Sequence, residues 1–274
     1  MSPSSRRWAV ISTNDRHDYL YYAPIVTQQW RRLGFDVFLL YNGSHFDTHP
    51  ALRMTCALGG HIRRLPFSVG NLHNETYTQV ARLFAATFTE IMAAEDMLTT
   101  SDVDMLVFQA PPAQLGMVTS WGQDLTCYQH YPICYVSATA GDWLQLFDLT
   151  AKDTMATAMD MFVQRWPQYF GEPAKRWVVD QDALTDCINH WRFNARGYVG
   201  VDRTLGPDHL LPLGRLDRYN WRYPQGEIVD CHLPKAGYSD DAHEKVTTLF
   251  RYLNLENVEW INSYREEYVR GMKS

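Results

Sequence analysis

Trp8-Ala9-Val10-Ile11-Ser12-Thr13 and Phe35-Asp36-Val37-Phe38-Leu39-Leu40-Tyr41 decide the fold. Each reads as a buried strand, short, apolar and rich in β-branched and aromatic residues. Between them, residues Tyr21 to Leu33 carry helical periodicity, and Gly34 supplies a stop. Asn14 to His17 is a polar loop, and Asn42-Gly43 ends the second strand. Strand, helix and strand in that order imply a parallel βαβ unit and an α/β core.

Working outward, His61 to Leu65 offers a third strand-like element. Tyr77 to Ala94 reads as a long helix with Val80, Leu83, Phe84, Thr87, Phe88 and Ile91 on one face. Further on, Cys134-Tyr135-Val136 is strand-like, and Asp142–Leu149, Thr154–Trp166, Ala183–Trp191 and Ala242–Leu253 read as helices. From Asn194 to Pro234 the chain is rich in Gly, Pro, Asp, Arg and Tyr, which suggests loops and short strands over a site. No repeat or linker divides the 274 residues. They read as a single domain, with a nucleotide-sugar-binding half over about 8–110 and an acceptor-binding half over about 111–274.

Composition narrows the classes. Apolar residues make up 46% and aromatics 14%, enough for a sizeable core. A net charge of −6 gives no sequence-independent grip on nucleic acid. Phosphorylated ligands would then need a metal ion or a few placed Arg and Lys side chains. Five scattered cysteines without a Cys-x-x-Cys pair read as reduced thiols. The N-terminus lacks the apolar stretch of a signal peptide, and no run of about eighteen apolar residues could span a membrane. The expectation is a soluble, cytoplasmic protein. Two acceptor patterns for N-glycosylation, at Asn42 and Asn74, read as coincidence in that setting.

The chemistry concentrates at Thr99-Thr100-Ser101-Asp102-Val103-Asp104-Met105-Leu106-Val107-Phe108. In an extended segment residues i and i+2 point the same way, so Asp102 and Asp104 can converge. Converging carboxylates repel unless a cation joins them, and hard oxygen ligands suit Mg2+ or Mn2+ together with a substrate's phosphates. The first strand ends in Ser12-Thr13-Asn14-Asp15. Ligands of open α/β sheets bind beyond the carboxyl ends of the strands, so these residues could meet a base or ribose.

The order of Val10 to Asp15, the helix with Arg82, Ser101-Asp102-Val103-Asp104, Trp177-Val178-Val179-Asp180-Gln181 and Cys231-His232-Leu233-Pro234-Lys235 resembles a metal-dependent glycosyltransferase of the GT-A fold. The overall pattern is also similar to the soluble glycosyltransferases encoded by large algal viruses. The resemblance implies a Rossmann-like mixed sheet flanked by helices and a UDP-sugar donor carrying xylose, glucose or galactose. It implies a glycan hydroxyl as acceptor and Mn2+ or Mg2+ as cofactor, hence hexosyl or pentosyl transfer. By resemblance, Asp102 and Asp104 hold the metal and His232 is its third ligand. Lys235 meets the diphosphate, and Ser12, Thr13, Asn14, Arg82, Ser101, Val103 and Gln181 line the donor. Asp180 is the sugar-side carboxylate. An ordinary base for inversion is such a carboxylate, with Asp142 the second candidate. The Asp180-Gln181-Asp182 string resembles the retaining galactosyltransferases of the glycogenin-like group, but that group's Gly-x-x-Lys-Pro-Trp ending is absent, since His232 is followed by Leu-Pro-Lys-Ala-Gly, and inversion is the expectation.

Plainer readings stand beside these. Asp180 precedes a helix and is also a good N-cap. His232 could be a hydrogen-bonded structural residue, and Arg82 a helix-surface ion pair. Trp143, Tyr219 and Trp221 could stack on an acceptor sugar or serve as core. A dehydrogenase would need a Gly-x-Gly-x-x-Gly turn after the first strand, and a dehalogenase-type phosphatase would carry its Asp pair on that strand. Neither pattern is present. The alternatives kept are a non-catalytic sugar-nucleotide or glycan-binding module of this fold, and a nucleotidyltransferase, whose Gly-rich basic loop is missing.

Overall fold

A computed structural model describes residues 5–45, 48–66, 73–122, 130–170, 178–203, 212–224, 226–255 and 258–272. Trp177 and Cys127 lie outside the described residues. The main sheet comprises β1 (Arg7–Asn14), β2 (Asp36–Asn42), β3 (Gly60–Arg64), β4 (Met97–Thr100), β6 (Val118–Gly122), β7 (Val136–Thr139) and β8 (Tyr198–Asp202), in the order β3-β2-β1-β4-β7-β6-β8. A smaller sheet orders β5 (Met105–Val107), β10 (Asp230–His232) and β9 (Arg215–Asp217) as β5-β10-β9.

β1 pairs in parallel with both β2 and β4, and β2 in parallel with β3. β7 runs antiparallel to β4 and β6, which makes the sheet mixed. The opening βαβ reading therefore holds. Trp8, Val10, Phe38 and Leu40 are fully buried, and β1 is buried at every position after Arg7. Strands covered on both faces read as continuous apolar runs, which is why these two stood out. Each such large side chain contributes roughly 1.5–3 kcal/mol by leaving water.

The helices are α1 (His17–Leu20), α2 (Ala23–Arg32), α3 (Pro50–Ala57), α4 (Asn74–Ala81), α5 (Ala140–Leu146), α6 (Met155–Arg165), α7 (Val179–Phe193), α8 (Asp240–Tyr252) and α9 (Glu259–Gly271). α2 buries Ile25, Val26 and Trp30 and stops at Gly34, whose φ of 78° suits glycine. The long helix expected over Tyr77–Ala94 is shorter. α4 ends at Ala81 and gives way to a 3-10 turn over Arg82–Thr87. There Thr87 Oγ1 donates to the Phe84 carbonyl, a local bond that competes with the α-helical ladder. The apolar face survives the change of period, since Phe84 still packs against Phe147 and Phe162.

Val178 and Val179, β-branched and strand-like by residue type, form no strand. Val179 begins α7, so Asp180 lies in the first turn of a helix, where an acid is favoured by the helix dipole. Helices α1, α3 and α9 add to those expected from the sequence. The last of these lays Tyr264 and Tyr268 against Tyr21, at 5.1 and 5.0 Å between ring centres.

Candidate active site

Strand order reverses at β1. The chain runs β1, β2, β3 to one side and returns to β4 on the other. A crevice beyond the carboxyl ends of the two strands at such a point is the standard ligand position in open α/β sheets. A cavity of about 530 Å3 lies there. Its wall draws on Ser12, Thr13 and Asn14 from the end of β1 and Asp102, Val103 and Asp104 after β4. It adds Arg82 beside α4, Asp180 and Gln181 from α7, and Tyr219, His232 and Lys235 around the small sheet. Residues scattered from position 12 to position 235 thus meet at one place.

The acidic pair reaches the cavity by a route other than the expected one. Residues Val103 and Asp104 form a turn, with Met105 N donating to the Asp102 carbonyl, so the segment is not extended. Both carboxylates still face the cavity. Each is tied to an arginine, Asp102 to Arg82 and Asp104 to Arg218. Asp102 also accepts from Cys134 Sγ at 3.0 Å, while its own N–H donates back to that sulfur.

Arg82 is the anchor of this wall. Its side chain is 5% exposed, and its guanidinium donates to Asp102, to the Ser101 carbonyl at 3.0 Å and twice to Asp180 Oδ2, at 3.2 and 2.5 Å. Asp180 is 1% exposed, and its other oxygen accepts from Gln181 N at 2.9 Å. Its carboxylate is occupied with Arg82, which speaks against the role of base. The plain helix-surface ion pair does not describe Arg82, which is buried.

His232 ends β10, beside the Asp turn. Its Nδ1 sits 3.0 Å from Asp217 Oδ2, and its Nε2 is 3.7 Å from Asp104 Oδ2. Burial opposes a charge on this imidazole, yet the two carboxylates outweigh it and raise its pKa. Burial likewise opposes the charge on Asp104, but His232 and Arg218 prevail and hold its carboxyl down at about 2. Lys235 is placed by Tyr22, whose hydroxyl donates to the Pro234 carbonyl at 2.5 Å. A Cβ on Gly237 would come within 2.3 Å of the Tyr22 ring, so only glycine fits this turn.

Among the described residues, no three His, Cys, Asp or Glu side chains are gathered closely enough to hold a metal as they stand. The donor chemistry nonetheless fits Mn2+ or Mg2+. Two carboxylates and an imidazole nitrogen border one cavity, and the far nitrogen of that imidazole is fixed by Asp217. A carboxylate behind a histidine is the usual support of a metal-binding imidazole.

Other expectations are corrected. Asp142 lies in the first turn of α5, where its N–H donates to the capping Thr139 hydroxyl and its carboxylate accepts from it, and it does not border the cavity. Trp143 is core: its indole N–H donates to the Leu98 carbonyl and its ring stacks on Phe147. Trp221 is half-buried and packs on the core, away from the cavity lining. Ser101 is fully buried and supports Arg82 from behind. Tyr219 alone of the three aromatic candidates stands at the cavity, 81% exposed, with its ring 6.4 Å from that of His232. Arg218 as a partner of Asp104, Cys134 behind Asp102, and Arg16, Tyr19, Glu75, Thr78 and Gln79 on the wall were not singled out from sequence. Nothing local marks Arg218 or Cys134, because each acts through a partner distant in the chain, Asp104 and Asp102.

No protein-family model matches the chain, and no curated protein sequence matches it. Among solved structures it is similar to the galactosyltransferase LgtC in complex with donor and acceptor sugar analogs. Identity there is 13%, over 92% of this chain and 98% of that one, with a TM-score of 0.49. It is also similar to the WbbM bifunctional glycosyltransferase, at 13% identity over 97% of this chain and 52% of that one, TM-score 0.45. The glycosyltransferase GlyE of Streptococcus pneumoniae TIGR4 overlaps at 13% identity over 72% and 46%, TM-score 0.45. All three are glycosyltransferases. At this identity and overlap, both the fold and the chemistry of the site rest on this chain's own residues. No helix among the described residues is long and apolar enough to cross a membrane.

Proposed function

We propose that the protein is a glycosyltransferase that takes a sugar from a nucleoside-diphosphate sugar, a UDP-sugar by preference, and delivers it to a glycan hydroxyl. One observation carries this reading. A single cavity at the switch point of the sheet joins a polar strand end, two carboxylates, a supported histidine and several cations. A nucleoside, a diphosphate and a sugar need those surfaces in that combination. The sugar is a hexose or pentose such as glucose, galactose or xylose.

In this assignment Ser12, Thr13 and Asn14 receive the base or ribose. Asp102, Asp104 and His232 would hold Mn2+ or Mg2+, which supplies Lewis-acid neutralisation of the charge on the departing diphosphate. Lys235 binds the diphosphate directly, adding positive charge where negative charge develops. Val103 and Gln181 shape the donor wall, and Tyr219 offers a ring face to the acceptor.

Asp180 positions Arg82, which in turn holds Asp102. With that carboxylate occupied and Asp142 outside the cavity, neither expected base is available, and we assign the proton of the acceptor hydroxyl to an oxygen of the leaving phosphate. That assignment shifts the expectation from inversion to retention of the anomeric configuration. A thermal-shift and turnover screen of UDP-sugars, with and without Mn2+, tests the reading. Product NMR of the anomeric proton then decides the stereochemistry. UDP-sugar binding without turnover on any glycan or water would favour a binding module.

A further inference from the structure

The two arginines on the acidic pair are not equivalent. Arg82 is held on all sides by Asp102, Asp180 and the Ser101 carbonyl. Arg218 is 6% exposed and borders the same cavity, yet among the described residues its one hydrogen bond runs from Nη2 to Asp104 Oδ2. Its Nε is buried without a partner. A buried guanidinium donor left unmade is costly, and an anionic oxygen is what satisfies it best. Asp104 is meanwhile the carboxylate that faces His232. One oxygen of Asp104 therefore serves a guanidinium in the place where a divalent ion would be bound.

We propose that Arg218 is a stand-in cation. It neutralises Asp104 until a divalent ion takes that oxygen, and the released guanidinium then grips the phosphates of the incoming nucleotide. The second half rests on the donor reading given above. A guanidinium fork matches phosphate oxygens in two bonds at once, which Lys235 cannot do. Metal and nucleotide would thereby bind in support of each other, because the first frees a ligand for the second.

Calorimetric titration of Mn2+ alone, then of UDP at saturating Mn2+, tests this on the wild type, R218Q and R218K. With the competing cation removed from Asp104, R218Q should bind Mn2+ on the order of tenfold tighter. Loss of charge-assisted bonds should weaken its UDP binding by about tenfold or more. A merely structural arginine would weaken both. Mn2+ affinity that is unchanged or weaker in R218Q overturns the stand-in role, and unchanged UDP affinity overturns the transfer to phosphate. R218K keeps the charge and loses the fork. It should hold Mn2+ within about threefold of wild type while UDP still weakens, and it decides the matter if R218Q fails to fold. Wild type that binds Mn2+ but no nucleotide defeats the donor reading and the phosphate half together. The Mn2+ arm still judges the stand-in half on its own.

Discussion

Replacing Asp180 by Asn separates an anchor from a base. The carboxylate is 1% exposed and takes both Nε and Nη2 of a guanidinium that is itself 5% exposed. Removing one partner of a buried pair costs about 3–5 kcal/mol, because the remaining charge is stranded. Asn keeps one acceptor oxygen for Arg82, and Asp102 still shares the guanidinium, so the lower end, about 3 kcal/mol, applies. A chain of this size loses roughly 2–4 °C of melting temperature per kcal/mol, so D180N should melt about 6–12 °C lower. Differential scanning calorimetry gives the shift directly, and a parallel Mn2+ titration should show weaker binding as Arg82 leans wholly on Asp102. A general base would behave otherwise, losing on the order of 10² to 10⁴ in kcat with the fold untouched. A melting temperature within about 2 °C of wild type together with such a rate loss would refute the anchor role and restore Asp180 as the base.

Three further outcomes follow from the same contacts. G237A places a methyl against the buried Tyr22 ring, and such overpacking costs about 1–3 kcal/mol; urea unfolding should show it, with UDP binding weakened because the Lys235 turn moves. Y219A removes an 81% exposed ring at the cavity, so acceptor KM should rise while donor Kd and melting temperature stay as they are; unchanged acceptor KM removes Tyr219 from the acceptor site. His49 Nδ1 accepts the Ala51 N–H at the start of α3, and burial first, then His17, lower its pKa to about 4. The unfolded chain takes that proton near 6.5, so the folded state binds fewer protons between the two values. Stability should therefore fall as pH drops from about 6.5 towards 4, and H49N, which can still cap, should flatten that slope; an identical slope would clear His49.

The parts of the fold legible in the sequence were those in which neighbouring residues share one fate. Val10 and Phe38 belong to strands buried on both faces, and such strands announce themselves as apolar runs. The turn at Asp102–Asp104 was found for its composition, although its conformation was misjudged. Two acidic residues look alike in a turn and in a strand, and what fixes the turn is β5 leaving for a second sheet. Arg82 was found at the site, while its hold on Asp180, 98 positions away, depends on packing that periodicity does not encode. Trp143 and Asp142 were overread for a related reason. An aromatic beside an acid suits a sugar site and a helix start equally, and the cap at Thr139 decides for the latter.

In the proposed function the cavity at the β1–β4 crevice binds a nucleoside diphosphate through a divalent cation. Titrating UDP into the protein by calorimetry, once with Mn2+ and once with EDTA, tests it most directly. UDP should bind saturably with Mn2+ and at least about tenfold more weakly in EDTA, and D104N should abolish the difference. Equal UDP affinity in Mn2+ and EDTA, or binding of GDP with none of UDP, would contradict it.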